Sequence, residues 1–198
     1  MTKISKRLFE ISKEVKAGAI VYDLGCDTGI LASFLSLDKA SFVLGVDLSK
    51  DSINKANNRQ EIKGGRAKFK VGSGLTYLDN SFDTLIISGL GGKTIINLLK
   101  DDLKNLKYFI LSPQSDLEYF RKSLHEMGFK YTEKLIYDKK YYHIFSATLG
   151  HDKYTDLEYK YGKEILEEKD KKYFKFLSKL YEYKDDEIIK EVLDEGNN

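Results

Sequence analysis

"VYDLGCDTGILASFL", residues 21–35, decides how the chain is read. A short apolar run reaches an aspartate, Asp23, and passes through two glycines, Gly25 and Gly29, into an apolar segment with helical spacing. A strand that turns tightly into a helix at the C-terminal edge of a parallel sheet has this pattern. The glycines let backbone approach a ligand closely, and the first helical turn offers unpaired N–H groups. A dinucleotide-binding turn reads G-x-G-x-x-G because it must hold a pyrophosphate. Here the spacing is D-L-G-C-D-T-G, with a further carboxylate, Asp27, inside the turn. Cys26, the only cysteine among 198 residues, excludes an internal disulfide framework and a Cys-rich zinc site, and is expected to be a small buried side chain.

Outward from this turn, short β-rich runs alternate with helical patterns. "AIVYDL" (19–24), "SFVLGVD" (41–47), "AKFKV" (67–71), "FDTLIIS" (82–88) and "KYFILS" (107–112) are the runs. "GILASFLSL", "SKDSINKANNRQEI", "GKTIINLLKDDLKNL" and "DLEYFRKSLHEMG" carry helical spacing. Strand, helix, strand in repetition predicts a parallel sheet covered on both faces. After Gly128 the pattern changes: "FKYTEKLIYDK" and "YYHIFSATLG" follow one another with no helix between, which predicts an antiparallel pair closing one edge. A mostly parallel seven-stranded α/β sheet finished by a hairpin is the Rossmann-like plan of class I methyltransferases that use S-adenosylmethionine (SAM), and differs from the two mirrored halves of a dinucleotide-binding fold.

The flanks add helices. Ile4, Leu8, Ile11 and Val15 mark one face of an amphipathic N-terminal helix. From about Tyr154, Leu157, Tyr161 and Ile165 are spaced by four, and Tyr173, Leu177, Leu180 and Ile188 form a second stripe. A coiled-coil-like pair turning near Glu167–Lys172 is expected, a single long helix being the alternative. The domain division expected is 1–150 for the catalytic body and 151–198 for the helical appendage. The body carries 23 Lys and Arg against 17 Asp and Glu, a net of +6, and the appendage 10 against 14, a net of −4. A weakly basic body permits a nucleic-acid partner without demanding one, and five lysines between Lys169 and Lys179 offer a local basic face. With no signal peptide and no run near the roughly 20 apolar residues of a membrane span, a cytoplasmic protein without a membrane partner is expected. His125, His143 and His151 lack partners at metal-ligand spacing, so no metal site is expected.

Two further positions point to a nucleoside cofactor. Asp47 ends "FVLGVD" about 20 residues beyond the glycine turn, where a carboxylate accepts from both ribose hydroxyls. Asp23 suits the ammonium of an amino acid better than it suits a pyrophosphate, which favours SAM over NAD. At the end of the fourth strand, "LIISGLGGKTI" (85–95) lacks the Asn/Asp-Pro-Pro-aromatic clamp for exocyclic amines. The only proline, Pro113, lies beyond the fifth strand. That leans towards a ring nitrogen, whose in-plane lone pair needs positioning more than deprotonation.

Together these segments resemble the bacterial tRNA adenine(22)-N1 methyltransferases, the TrmK family. The resemblance runs from "SKRLFEISKEVKAGAIVYDLGCDTGIL" (5–31) through "GVDLS", "VGSGL", "SGLGGKTI", "LSPQSDLEYFRKSL" and "YYHIFSA" to "YGKEIL", nearly the whole chain. It implies methyl transfer from SAM to N1 of an adenine in the D-arm region of tRNA, by a monomer whose helical tail helps hold the RNA. N1 lies on the Watson–Crick edge, so the base must be unpaired or flipped out. The implied catalytic residue is Asp27, stabilising the charge that develops on the ring or positioning the base through its amine, the alternatives being a helix cap or a cofactor contact. The implied cofactor contacts are Asp23, Gly25, Gly29, Asp47, Leu48, Gly72, Ser73, Gly74, Ser88 and Gly89. The implied substrate contacts are Arg7, Gly91, Gly92, Lys93, Pro113 and Gln114, with Lys3 and Lys6 as further phosphate contacts and Tyr141 and Tyr142 as stacking candidates. The chain departs from the family pattern at Thr28, Ala32, Ser73 and the Ser112–Gln114 run. A catalytically lapsed binding protein, a small-molecule methyltransferase and, last, an NAD oxidoreductase are the competing readings.

Overall fold

The five apolar runs form parallel strands of one sheet in the computed structural model, which describes residues 4–63, 66–167, 171–184 and 189–190. They are β1 (Ile20–Leu24), β2 (Phe42–Asp47), β3 (Ala67–Val71), β4 (Thr84–Ser88) and β5 (Tyr108–Ser112). The hairpin β6 (Phe129–Asp138) and β7 (Lys140–Leu149) completes seven strands in the order β3-β2-β1-β4-β5-β7-β6, with β7 antiparallel to β5. Helices α1 (Lys6–Glu14), α2 (Ile30–Asp38), α3 (Lys50–Lys63), α4 (Gly92–Leu98) and α5 (Leu117–Glu126) cover both faces. Strand alternation sorts the core into two layers. Tyr22, Leu24, Leu85, Ile87, Phe109 and Leu111 share one layer with Phe120 and Leu124 of α5. Val21, Ile86 and Ile110, one position out of phase, share the other with Ile11 of α1, Leu35 of α2 and Ile53 of α3. The sheet and hairpin agree with the sequence reading. The exposed edge β3 alternates Lys68 and Lys70 outward, charges that discourage pairing with another strand.

The order reverses between β1 and β4, so the crevice beyond their C-terminal ends is the switch point where such sheets bind ligands. Gly29 makes the turn into α2 possible. Its φ is +69°, and a Cβ there would stand 2.6 Å from the Phe69 ring and 2.8 Å from the Ala56 methyl. Any other residue would push α2 off β3 and α3.

After β7 come α6 (Asp156–Tyr161), α7 (Lys163–Glu167) and α8 (Lys171–Lys184). Thr155 opens α6 with a capping box closed by Glu158. The sequence stripe Leu157–Tyr161–Ile165 is not one helical face: Gly162, at φ +98°, breaks the helix, and Leu157 is 40% exposed. Tyr161 and Ile165 are buried with Tyr173 and Leu177 of α8 against Leu135 of β6. Ile188 and Lys169 of the expected tail pattern, and Lys3, lie outside the described residues.

A buried ionic network fastens α6 to the sheet. Arg121 of α5 donates to both carboxylate oxygens of Glu133 on β6, at 2.7 and 2.8 Å. Its Nη1 donates to the carbonyls of Tyr159 and Lys160 at the C-terminus of α6, at 2.9 and 3.2 Å. His143 Nδ1 meets the same Glu133 carboxylate, and the Glu133 N–H donates to Glu164 of α7 at 2.9 Å. Burial pushes the Glu133 carboxyl up, but the Arg121 guanidinium and the His143 hydrogen bond outweigh it and hold the pKa at about 2, below the ordinary 4.5. Glu133 therefore contributes stability that is complete above pH 4.5 and is lost as the pH falls towards 2. Arg121→Met leaves this carboxylate buried without its main partner and should cost about 3–5 kcal/mol. In urea titrations the gap to wild type should be small in acid and widen as the pH rises past about 4.5, where wild type keeps a paired carboxylate and the variant must ionise an unpaired one; a gap that does not change with pH refutes the role given to Glu133.

Candidate active site

At the switch point β1, β2, β4, α1 and the glycine turn enclose a cleft of about 280 Å³, lined by Arg7, Asp23, Gly25, Asp27, Thr28, Asp47, Ser88, Gly89 and Leu90 among others. The turn is sewn to β2: the N–H groups of Gly25 and Cys26 donate to the Val46 carbonyl at 2.8 and 3.1 Å. Asp47 completes that stitch. Its Oδ2 accepts the Asp27 N–H and its Oδ1 the Ser49 N–H, both at 2.9 Å. Each oxygen keeps a second acceptor site, so the carboxylate is fixed in orientation and still able to accept a pair of hydroxyls.

Asp23 is 2% exposed, and its Oδ2 has no hydrogen-bond partner. An unpaired buried carboxylate is costly. Burial, then the neighbouring Asp47, pushes its pKa up from 3.8 to about 7, while Arg7 pulls the other way. Arg7 comes from α1, which lies over the sheet face that Asp23 shares with Val21, and its Nη1 is also buried without a partner.

Asp27 is exposed at the cleft wall with φ +49°, a left-handed conformation that Asp and Asn tolerate best. It does not cap α2, whose N-cap is Gly29 with no side-chain bond; its Oδ1 instead accepts from Ser52 Oγ of α3 at 3.2 Å. The helix-cap alternative for Asp27 is thereby set aside. Cys26 is buried, and burial pushes its thiol up, which suits packing rather than reactivity.

The other expected residues lie around this cleft and do not line it. Leu48, 73% exposed, follows Asp47 on the open side. Gly72, Ser73 and Gly74 follow β3; the Ser73 carbonyl accepts from Thr76 Oγ1 and the Gly74 carbonyl from the Tyr22 hydroxyl. The Gly-Leu-Gly-Gly loop is laced to the segment after β5 by N–H bonds from Gly89 to Ser112, Gln114 to Leu90 and Gly92 to Ser115, at 3.2, 2.9 and 3.2 Å. A Cβ on Gly92 would meet the Ser115 carbonyl at 2.6 Å, so the second glycine of the pair is needed for this contact. Pro113 is buried and Gln114 exposed beside that loop. Ser112 is turned away from the cleft, its hydroxyl donating to the His143 carbonyl at 2.8 Å.

Lys93 lines a different space, a groove of about 700 Å³ between the start of α5 and the tail helices, walled also by Tyr119, Lys122 and Lys160. It lies 3.7 Å from Asp116. Tyr141 packs on Phe176 of α8, and Tyr142 lies under the Arg7 guanidinium, so both stacking candidates have intramolecular partners, in keeping with the packing role that 14 tyrosines in the chain also allow them. Sequence reasoning missed Arg121, Glu133 and His143. A signal existed: Arg121 follows Phe120 on the apolar face of α5, and Glu133 occupies an inward position of β6 between Tyr131 and Leu135. Among the described residues no group of three His, Cys, Asp or Glu could hold a metal, and no helix is long and apolar enough to cross a membrane.

Residues 4–145 match the family model described as a methyltransferase domain. The chain belongs to that family. Among curated proteins it is 27% identical over 157 residues to the tRNA (adenine(22)-N(1))-methyltransferase of Bacillus subtilis, a match covering 75% of this chain and 66% of that relative, just under two thirds of its length. The crystal structure of B. subtilis TrmK superposes with a TM-score of 0.81 at 22% identity, covering 100% of this chain and 95% of that one. M. capricolum TrmK, solved with S-adenosylhomocysteine, gives 0.81 at 21% identity, covering 98% and 95%. At such identities the structural likeness is one of fold.

The raised pKa of Asp23 sets a test of the methyltransferase cleft without ligand. Ionising Asp23 costs the fold stability progressively from its ordinary 3.8 up to about 7. Asp23→Asn should therefore raise the melting temperature of the ligand-free protein at pH 8 and match wild type near pH 4. An equal shift at both pH values would show that Asp23 is not ionised against a burial cost.

Proposed function

We propose that the protein transfers a methyl group from SAM to N1 of an adenine in tRNA, at the D-arm position numbered 22 in the TrmK enzymes it resembles, acting as a cytoplasmic monomer. The observation that carries this reading is the unpartnered Asp23 carboxylate facing a cleft shared with the oriented carboxylate of Asp47. The pair fits an amino acid joined to a nucleoside and does not fit a pyrophosphate. The whole-length likeness to TrmK structures supports the RNA substrate over other methyl acceptors.

Asp23 would hold the cofactor's ammonium, Asp47 its ribose, and Leu48 with Gly72–Gly74 the open side towards the base. When bound, SAM supplies a methyl group on a sulfonium, an electrophile that an unprotonated ring nitrogen attacks directly. Such a nucleophile needs no base before attack, and the positive charge passes to the adenine ring. Asp27, exposed at the cleft wall and accepting from Ser52 Oγ, would meet that charge. The loop from Gly89 to Gly92, bonded to Ser112, Gln114 and Ser115 on either side of Pro113, would shape the opening for the flipped base. Lys93, Lys122 and Lys160 along the neighbouring groove would take phosphates, with Tyr161, Phe176 and Leu180 of the tail in its second wall. Of these lysines Lys160 alone comes from the tail beyond residue 150; Lys93 and Lys122 come from the body and face Asp116 and Glu118 at 3.7 and 2.9 Å.

Methyl transfer to unmodified tRNA, followed by nucleoside analysis, should yield 1-methyladenosine. SAM binding without that product would overturn the tRNA reading. Asp27→Asn keeps the left-handed turn and its N–H bond to Asp47, so SAM affinity should stay within about threefold while turnover falls about 10²- to 10³-fold. A parallel loss of affinity and turnover would reduce Asp27 to a cofactor contact.

A further inference from the structure

Two polar atoms of opposite charge are left unpaired in the cleft. Asp23 Oδ2 and Arg7 Nη1 are both buried, both residues line the same 280 Å³ space, and neither atom has a hydrogen-bond partner. Among the described residues no ion pair joins the two side chains, so they do not neutralise each other at contact distance. A buried guanidinium N–H and a buried carboxylate oxygen that stay apart across one cavity ask for a ligand carrying both complementary charges. An α-amino acid group does so, with an ammonium for Asp23 and a carboxylate for Arg7.

Resting on the SAM reading above, we propose that Arg7 binds the carboxylate of the cofactor's amino-acid moiety. Helix α1 then supplies the positive half of a zwitterion clamp whose negative half is Asp23 on β1. Arg7 is set for this by elements far away in sequence. Its guanidinium carbon lies 5.2 Å from the Tyr142 ring centroid, which leaves the planar edge free to donate. Its backbone N–H donates to Asp138 Oδ2 at 3.0 Å, pinning the start of α1 to the β6–β7 turn. Arg7 also lowers the Asp23 pKa against the burial and the Asp47 charge that raise it, so each charge already senses the other. An RNA phosphate is the competing partner for an arginine. A polynucleotide backbone does not thread a space of about 280 Å³ that must also admit the cofactor, whereas a terminal carboxylate does.

The test separates the carboxylate from the rest of the ligand. Calorimetric titration with S-adenosylhomocysteine and with its decarboxylated analogue, S-adenosyl-3-thiopropylamine, compares ligands differing only in that group. Wild type should bind S-adenosylhomocysteine about 10- to 100-fold more tightly, the worth of a charge-assisted pair. Arg7→Gln should erase this preference, weakening S-adenosylhomocysteine by that factor and leaving the decarboxylated ligand within about threefold. Arg7→Lys, which keeps the charge and loses the fork, should restore part of the preference and guards against a folding defect in Arg7→Gln. Equal weakening of both ligands would overturn the proposal by making Arg7 a structural residue. Unchanged S-adenosylhomocysteine affinity with a raised KM for tRNA would overturn it in favour of an RNA phosphate contact. Failure of wild type to bind either ligand would remove the SAM reading itself, and with it this proposal, before any variant is made.

Discussion

A carboxylate buried at the end of the central strand has to be compensated, and much of the architecture is arranged around that requirement. Asp23 is the penultimate residue of β1, shortly before Gly25, at the point where the strand order reverses. Asp47 on the neighbouring strand makes matters worse for its charge, and Arg7 on α1 makes them better. The ligand-free protein thus stores an unfavourable interaction that a cationic group relieves. Stability given up at a site is how a fold reserves affinity for what binds there.

The compensation draws on the whole chain. The N-terminal helix brings Arg7, and the C-terminal hairpin holds that helix through Asp138 and steadies the guanidinium through Tyr142. The same hairpin carries Glu133 and His143, whose network with Arg121 receives the C-terminal carbonyls of α6. Arg121 there does two jobs at once, pairing a buried carboxylate and satisfying helix-end acceptors that no continuing turn supplies after Gly162. The hairpin therefore links the tail to the cofactor end of the sheet through packed, charged contacts. On the function proposed above, such a link keeps the wall of the groove beside α5 in register with the cleft.

The alternation of apolar runs with helical segments specified the sheet order class and the closing hairpin, because parallel strands buried on both faces must be apolar throughout and need long crossovers. The turn at Gly25–Gly29 and the carboxylates Asp23, Asp27 and Asp47 were equally legible, since their chemistry depends on position relative to strand ends that the pattern marks. The tail was less so. Helical spacing at Leu157, Tyr161 and Ile165 reads as one stripe, yet Gly162 takes a positive φ and divides it, and the capping box at Thr155 sets where the first piece begins. Periodicity alone does not register a break that one glycine permits.

What the sequence by itself determined is local: strand and helix identity, the turn, and which carboxylates stand at strand ends. What only the tertiary structure decided is pairing across long separations. Arg7 meets the cleft and Tyr142 rather than open solvent, Ser112 turns to His143 rather than to substrate, and Lys93 joins a groove with Lys160. Glu133 is held ionised because an arginine 12 positions earlier and a histidine 10 positions later fold onto it. A side chain's charge state and partner are set by the dielectric and the neighbours that folding assembles, and a linear pattern carries neither.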